Sequence, residues 1–278
     1  MAYVDETLQE KEAENQEPSS LTTEEKTTKS IGERFICIKE VRSVSRAKAL
    51  RLKTGDVIVG VEGEVFNGTV DELLDIFDEI DEQKGGLLTI FRQGISFNLI
   101  IFGPLGCIFE LTSDEVTNSI HEVLPDIEMG NIDHLITFEV LRNIKGECNV
   151  FDTRVSQLGI FLPPVWLLQQ RLWEPLIAIL AIYTVTLIVH WSLFLISLIL
   201  ISLYFRKAQL VLLRSFSLHK GKIIWMIIAA RTMLDAQKIA RLFDPNIIFT
   251  PDLVGPPPPV ETPNEKKKKK RKSSVPSF

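Results

Sequence analysis

The sequence predicts an α+β protein attached to a membrane-embedded helical segment, and three observations predict it. Residues 176–205 contain no Asp, Glu, Lys, Arg, Gly or Pro. Upstream of that run, short β-branched stretches alternate with Gly-containing turns and a capped amphipathic helix. Both ends are strongly polar: acidic residues crowd positions 1–30, and Lys266, Lys267, Lys268, Lys269, Lys270, Arg271 and Lys272 form an unbroken basic run. The overall values, 45% hydrophobic and 24% charged, are ordinary and hide this bias. The local extremes exclude a simple soluble globule and a generic disordered chain. Cys37, Cys107 and Cys148 are odd in number and show no CxxC or Cys/His ligand spacing, so a disulfide-stapled secreted domain is excluded too. These thiols are expected to be reduced, on the cytoplasmic side.

Taken in order, residues 1–30 carry too few large apolar side chains to offset the entropy of ordering, and are expected to be disordered. They lack the basic and apolar regions of a secretory signal. Residues 31–102 read as a compact α+β domain. Phe35, Ile36, Ile38 and Val41 suggest a first strand, and Ala47, Ala49, Leu50 and Leu52 a short helical turn. Gly55-Asp56 forms a tight turn, the β-branched run 57–61 a strand, and Glu62-Gly63 the next turn. Thr69 with Glu72 makes a capping box. Behind it, Val70, Leu73, Leu74, Phe77 and Ile80 recur at 3.6-residue spacing. Gly85-Gly86 ends that helix, and runs 87–92 and 96–102 pair across Gln93-Gly94.

This order resembles a PDZ domain of the bacterial type. The residues that carry the likeness are Ala49-Leu50, then Leu52-Lys53-Thr54-Gly55-Asp56-Val57-Ile58-Val59, then Val61 and Gly63, the capped helix, and Arg92-x-Gly94. Such domains bind an extended peptide as an added strand beside the long helix. The resemblance therefore implies a groove between Arg34, Phe35, Ile36, Cys37 and Ile38 on one side and Val70, Leu73 and Phe77 on the other. The chain departs from the family pattern at the carboxylate-binding loop, which reads Gly32-Glu33-Arg34-Phe35-Ile36 with a single glycine. Glu33 there repels a carboxylate unless turned away, and Arg34 offers compensation. Internal strands, or the protein's own chain, are thus alternative occupants of the groove.

Residues 103–162 read as a small α/β extension. Thr112 with Glu115 forms a second capping box, Pro125 stops the following helix, and runs 135–140 and 147–151 are strands joined through Lys145-Gly146. His121 and His134 have no metal-ligand partners at a recognised spacing. Residues 163–206 enter the membrane. Trp166 and Trp173 mark an interfacial amphipathic helix at headgroup level. The apolar run that follows would measure roughly 45 Å as one helix, against a hydrocarbon core of about 30 Å. Arg206, Lys207, Arg214, Lys220 and Lys222 place its far end in the cytoplasm. A folded domain with no export signal holds the near end there too, so a helical hairpin bending at residues 189–192 is favoured over one long helix.

Within the run, His190 is an intramembrane ionisable residue and thus a functional candidate. Haem ligation lacks a second axial His in the segment, so a neutral imidazole that caps a turn or hydrogen-bonds a neighbouring helix is the simpler role. Two residues apart on one helix, His190 and Ser192 are expected on different faces, which disfavours a catalytic dyad. Ser192, Ser197 and Ser202 recur at about helical spacing and are assigned to one packing face. Residues 207–245 read as a β-hairpin, with strands 209–218 and 222–230 around His219-Lys220-Gly221, followed by a helix over 232–243. Residues 246–278 form a Pro-rich and polybasic tail, in which residues 266–272 are expected to contact anionic lipid.

No hydrolase elbow, HExxH, phosphate loop or dinucleotide fingerprint occurs. A non-enzymatic role with no cofactor is expected. The leading expectation is a bacterial inner-membrane adaptor that holds a membrane-protein partner through its cytoplasmic PDZ-like domain. The alternatives are an accessory subunit in the assembly of a larger membrane complex, and a factor associated with a membrane protease. Nucleic acid is not expected, because no base-reading module accompanies the basic run.

Overall fold

A computed structural model describes residues 34–257. The acidic segment 1–30, Gly32, Glu33 and the basic run 266–272 lie outside the described residues. The chain is mixed α and β. It starts β1 (Ile36–Val41), α1 (Arg46–Ala49), β2 (Val57–Val61), β3 (Glu64–Val65), α2 (Val70–Glu79), β4 (Gly86–Arg92), β5 (Ile95–Ile101) and β6 (Cys107–Leu111). It continues α3 (Asp114–Val123), β7 (Ile136–Arg142), β8 (Glu147–Asp152), α4 (Gln157–Phe161), α5 (Pro163–Gln169), α6 (Trp173–Val189), α7 (Trp191–His219), β9 (Ile223–Ala230), α8 (Met233–Phe243) and β10 (Ile248–Phe249).

The ten strands form one sheet in the order β10-β8-β7-β9-β5-β4-β2-β1-β6, with β3 paired to β2. Every pairing is antiparallel except β10 with β8. The central strands β2 and β4 are buried along their whole length. That burial on both faces explains why their sequences read as continuous apolar runs instead of alternating ones. On one face Leu73 and Phe77 of α2 and Ala236 and Ala240 of α8 pack on Ile58, Ile90, Leu99 and Val140. On the other, Ile120 of α3 and Ile127 cover Phe35, Val57, Val59 and Phe91.

The turns follow local chemistry. Gln93-Gly94 joins β4 to β5 with φ of 53° and 82°, the left-handed pair that a two-residue hairpin needs. The Thr69 capping box is complete: its hydroxyl accepts from the Glu72 N–H, and the Glu72 carboxylate accepts from the Thr69 N–H. Thr112 does not cap α3. Ser113 holds the N-cap position, and Thr112 is buried, accepting from the Phe35 N–H at 3.2 Å and donating to the Phe35 carbonyl at 3.0 Å. A buried backbone pair at the start of β1 claims that hydroxyl before the helix end does.

Two further expectations are corrected. Residues 209–218 are not a strand; they are the last turns of α7, which runs unbroken to His219. Leu213 of this stretch is buried against the cluster around Trp166 and Leu167. Its Gln209 side chain binds both the N–H and the carbonyl of Ser156, each at 2.9 Å. Tertiary contacts on several sides thus fix the segment as helix. Second, β9 has no hairpin partner of its own. After the turn at Gly221 it inserts between β7 and β5, pairing from Ile136↔Ala230 to Arg142↔Ile223 and at Asn98↔Ala229.

The turn residue Asp56 and the strand-end residue Arg92 form a buried ion pair, with side chains 1% and 8% exposed. Arg92 donates from Nε at 2.6 Å and Nη2 at 2.5 Å to the two carboxylate oxygens, and Nη2 also reaches the Arg51 carbonyl. The Lys53 N–H donates to the same carboxylate at 2.7 Å. Arg92→Met leaves that carboxylate buried without its cation, so it should destabilise the domain by about 3–5 kcal/mol. Asp56→Asn combined with Arg92→Met should cost clearly less. Denaturant unfolding of the full chain in mild detergent measures both, and a double replacement that costs as much as Arg92→Met or more would show that the loss is not that of an orphaned buried carboxylate.

Candidate functional site

Of the groove residues named from sequence, Ile36 and Ile38 of β1 share a core with Val70, Leu73 and Phe77 of α2, whereas Phe35, just before β1, and Cys37 pack on the opposite face, and no open groove lies between them. β6 lies antiparallel along the edge of β1 that the resemblance assigns to a ligand, in the register Ile36↔Leu111, Cys37↔Glu110 and Ile38↔Phe109. The other edge of β1 pairs with β2. Phe109 turns towards α2, with its ring 6.1 Å from that of Phe77, and Cys107 packs against the same core. The alternate side chains that an added strand would insert are therefore supplied by the chain itself. Phe35, Ile36, Ile38, Leu73 and Phe77 are all at or below 1% exposure, and Val70 is partly buried. Arg34 makes an ion pair with Asp114 at 2.7 Å. The Thr112 bonds to Phe35 pin the end of β6 in place.

The second candidate is the apolar pair α6 and α7. The bend falls at His190, whose backbone is extended (φ −166°, ψ 135°) between the two helices. The helices fold back on each other: the rings of Tyr183 and Phe194 meet at 5.6 Å, and Thr186 and Ser197 hydroxyls lie 3.3 Å apart. No Gly or Pro is needed, because the His190 side chain takes the role of cap, with Nδ1 accepting from the Ser192 N–H. The same nitrogen lies 2.5 Å from the Ser192 hydroxyl. The expectation that these two residues face apart is thus corrected, since it assumed both were helical. The three serines do not share a face either. Ser192 meets His190, Ser197 meets Thr186, and Ser202 donates to the Ile160 carbonyl at 2.5 Å. A spacing of five advances about 140° per step on a helix of 3.6 residues per turn, which spreads them around it.

Among the described residues one helix, α7, is long and apolar enough to cross a membrane, and α6 is apolar but shorter at 17 residues. Their outer faces are uncovered: Ile177, Val185, Ile188, Ile196, Ile199 and Leu200 are each more than half exposed. Trp173 is exposed as expected of an interfacial residue. Trp166 is not; it is buried, edge-on to Phe205 at 5.9 Å, and anchors the hairpin base to the domain.

Sequence reasoning missed the connection between hairpin and sheet. Arg214 of α7 forms a two-pronged ion pair with Glu139 of β7, which is 2% exposed. The signal was present: an acidic residue inside the apolar strand ITFEVLR needs a cation. Beside it, a cavity of about 420 Å³ opens between β8, α5 and α7, bordered by Asp152, Arg154, Trp166, Gln170 and Gln209. Among the described residues no cluster of three His, Cys, Asp or Glu is placed to hold a metal ion.

No family model matches the chain, and no curated protein is detectably similar to it.

The three thiols are free. Burial pushes Cys107 and Cys148 up to about 11, and burial together with the neighbouring Glu110 carboxylate raises Cys37. A thiolate is the reactive form, so all three should alkylate slowly at pH 8 and faster as pH approaches 11. The same shifts weaken the fold in alkali. Above the ordinary thiol range the unfolded chain gives up protons that the folded chain keeps, so stability should fall between about pH 9 and pH 11. Rapid labelling of Cys107 in the folded chain at pH 8 would contradict this.

Proposed function

We propose that this chain is a membrane-embedded, non-enzymatic interaction protein. On this reading α6 and α7 enter the bilayer as a hairpin while the sheet stays on the cytoplasmic face, in bacteria at the inner membrane. The observation that carries the reading is the position of β9. The strands before the hairpin and the strand after it are hydrogen-bonded neighbours in one sheet. Two segments of one sheet occupy one compartment, so the apolar run between them crosses an even number of times or dips in and returns. Arg206 and Lys207 just past the run fit a cytoplasmic base. An arm of 17 residues is roughly 26 Å long, slightly less than the hydrocarbon core, which suits a hairpin whose His190 tip reaches the far leaflet.

Between the two binding roles, the filled groove favours an accessory or assembly subunit over a peptide-capturing adaptor. A partner strand would have to displace β6, which is held by Thr112 and by Phe109 against α2. The outer faces of α6 and α7 need no such displacement and can pack on other membrane helices. Expressed with a C-terminal tag, the chain should stay in the membrane pellet through alkaline carbonate extraction and should copurify in mild detergent with stoichiometric membrane partners. Release into the carbonate supernatant would refute the membrane reading. Retention together with saturable capture of free peptides by the sheet domain would favour the adaptor role.

A further inference from the structure

A second apolar surface is left uncovered at the base of the hairpin. Helices α4 and α5 bury Trp166 and Leu167 yet expose Leu158, Phe161, Leu162, Val165 and Leu168, with Phe161 72% exposed. A helix on a water-facing surface keeps its apolar stripe towards the core; these two carry apolar residues outward as well. The height of this collar on α7 is set by the bond from the Ser202 hydroxyl to the Ile160 carbonyl, which holds the end of α4 level with the point where α7 leaves the protein. Arg206 and Lys207 follow one turn further towards the sheet, about 6–8 Å along the axis. Arg171 stands at the junction of α5 and α6, one residue before buried Leu172. All three cations are exposed, and Glu174, three residues after Arg171 in the first turn of α6, is an exposed carboxylate on the same stretch of chain. The nearby Arg154 is already neutralised by Asp152, and Arg214 by Glu139.

We infer that this collar is a seat for an anionic bilayer surface, with Phe161, Leu162, Val165 and Leu168 at the boundary of the acyl region and Arg171, Arg206 and Lys207 at the level of the lipid phosphates. The inference rests on the membrane placement proposed above. Apolar residues at the headgroup boundary combined with cations just outside it give the composition of an interfacial binding face. Such cations act on anionic lipid within a Debye length. The seat also sets how deep the hairpin goes, because the collar stops against the headgroups while the arms continue inward.

The test is a competition for the detergent-solubilised full chain between vesicles of phosphatidylcholine alone and vesicles with a quarter phosphatidylglycerol, separated after detergent removal. To isolate the seat from the basic tail, residues 266–272 are changed to glutamine throughout. The expected result is a preference of about threefold or more for the anionic vesicles, shrinking in high salt. Arg171→Gln with Arg206→Gln and Lys207→Gln should abolish it, and the three Glu replacements should invert it. An even distribution of the tail-neutralised chain, or a preference that survives both sets of replacements, would overturn the seat and leave the membrane hairpin standing. Recovery of the chain from neither vesicle population would instead overturn the hairpin reading itself.

Discussion

The structure depends on one constraint: the chain that leaves the sheet at β8 must return to it at β9, in the gap between β7 and β5. Everything between those strands is a closed excursion whose ends are tied together. That excursion contains α4 to α7, including the apolar run. The register of β9 on β7 spans seven residue pairs, so the tie is a strand-length ladder and not a single contact. It is reinforced from the helix side, where Arg214 meets buried Glu139 and Gln209 closes on Ser156. A buried carboxylate with its cation removed is costly, so the hairpin base and the sheet are energetically one body.

The same constraint explains which sequence signals were readable. Local signals came through. The Thr69 capping box, the Gln93-Gly94 turn, the amphipathic stripe of α2 and the break near His190 each depend on a few neighbouring residues. Signals that depend on distant partners did not. Run 209–218 reads as a strand because it flanks the turn His219-Lys220-Gly221 opposite 222–230, but its helical form is fixed by contacts with residues 50 to 75 positions earlier. Nothing local says that β6 will lie along β1, because residues 107–111 and 36–41 are joined only through the sheet. Thr112 reads as a cap from the Glu three residues later, while its actual partner is Phe35, 77 residues away.

The candidate site was legible to a similar degree. Ile36 and Ile38 do share a core with Leu73 and Phe77, whereas Phe35 and Cys37, assigned with them, pack on the opposite face of the sheet because successive side chains of an extended strand alternate. What fills the groove was open, and in the structure it is β6 with Phe109 and Cys107 pointing inward. A strand edge satisfied by its own chain is protected from further pairing, which is how folds commonly blunt an exposed edge. Among the described residues the large uncovered apolar surfaces are instead those around α6 and α7, the ones that the proposed function gives to lipid and membrane helices.

The most direct measurement is a pair of cysteines at Asn98 and Ala229, directly opposed residues on β5 and β9. Introduced as Asn98→Cys and Ala229→Cys in the full chain, in isolated membranes treated with a mild oxidant, they should close an intramolecular disulfide. Their facing Cα atoms lie within the span such a bond requires. A bridge formed there joins the segments before and after the hairpin on one side of the bilayer. Failure to close, while a control pair at Phe91 and Ser96 on β4 and β5 closes readily, would mean that β9 is not in the sheet. The two flanks would then be free to lie in different compartments.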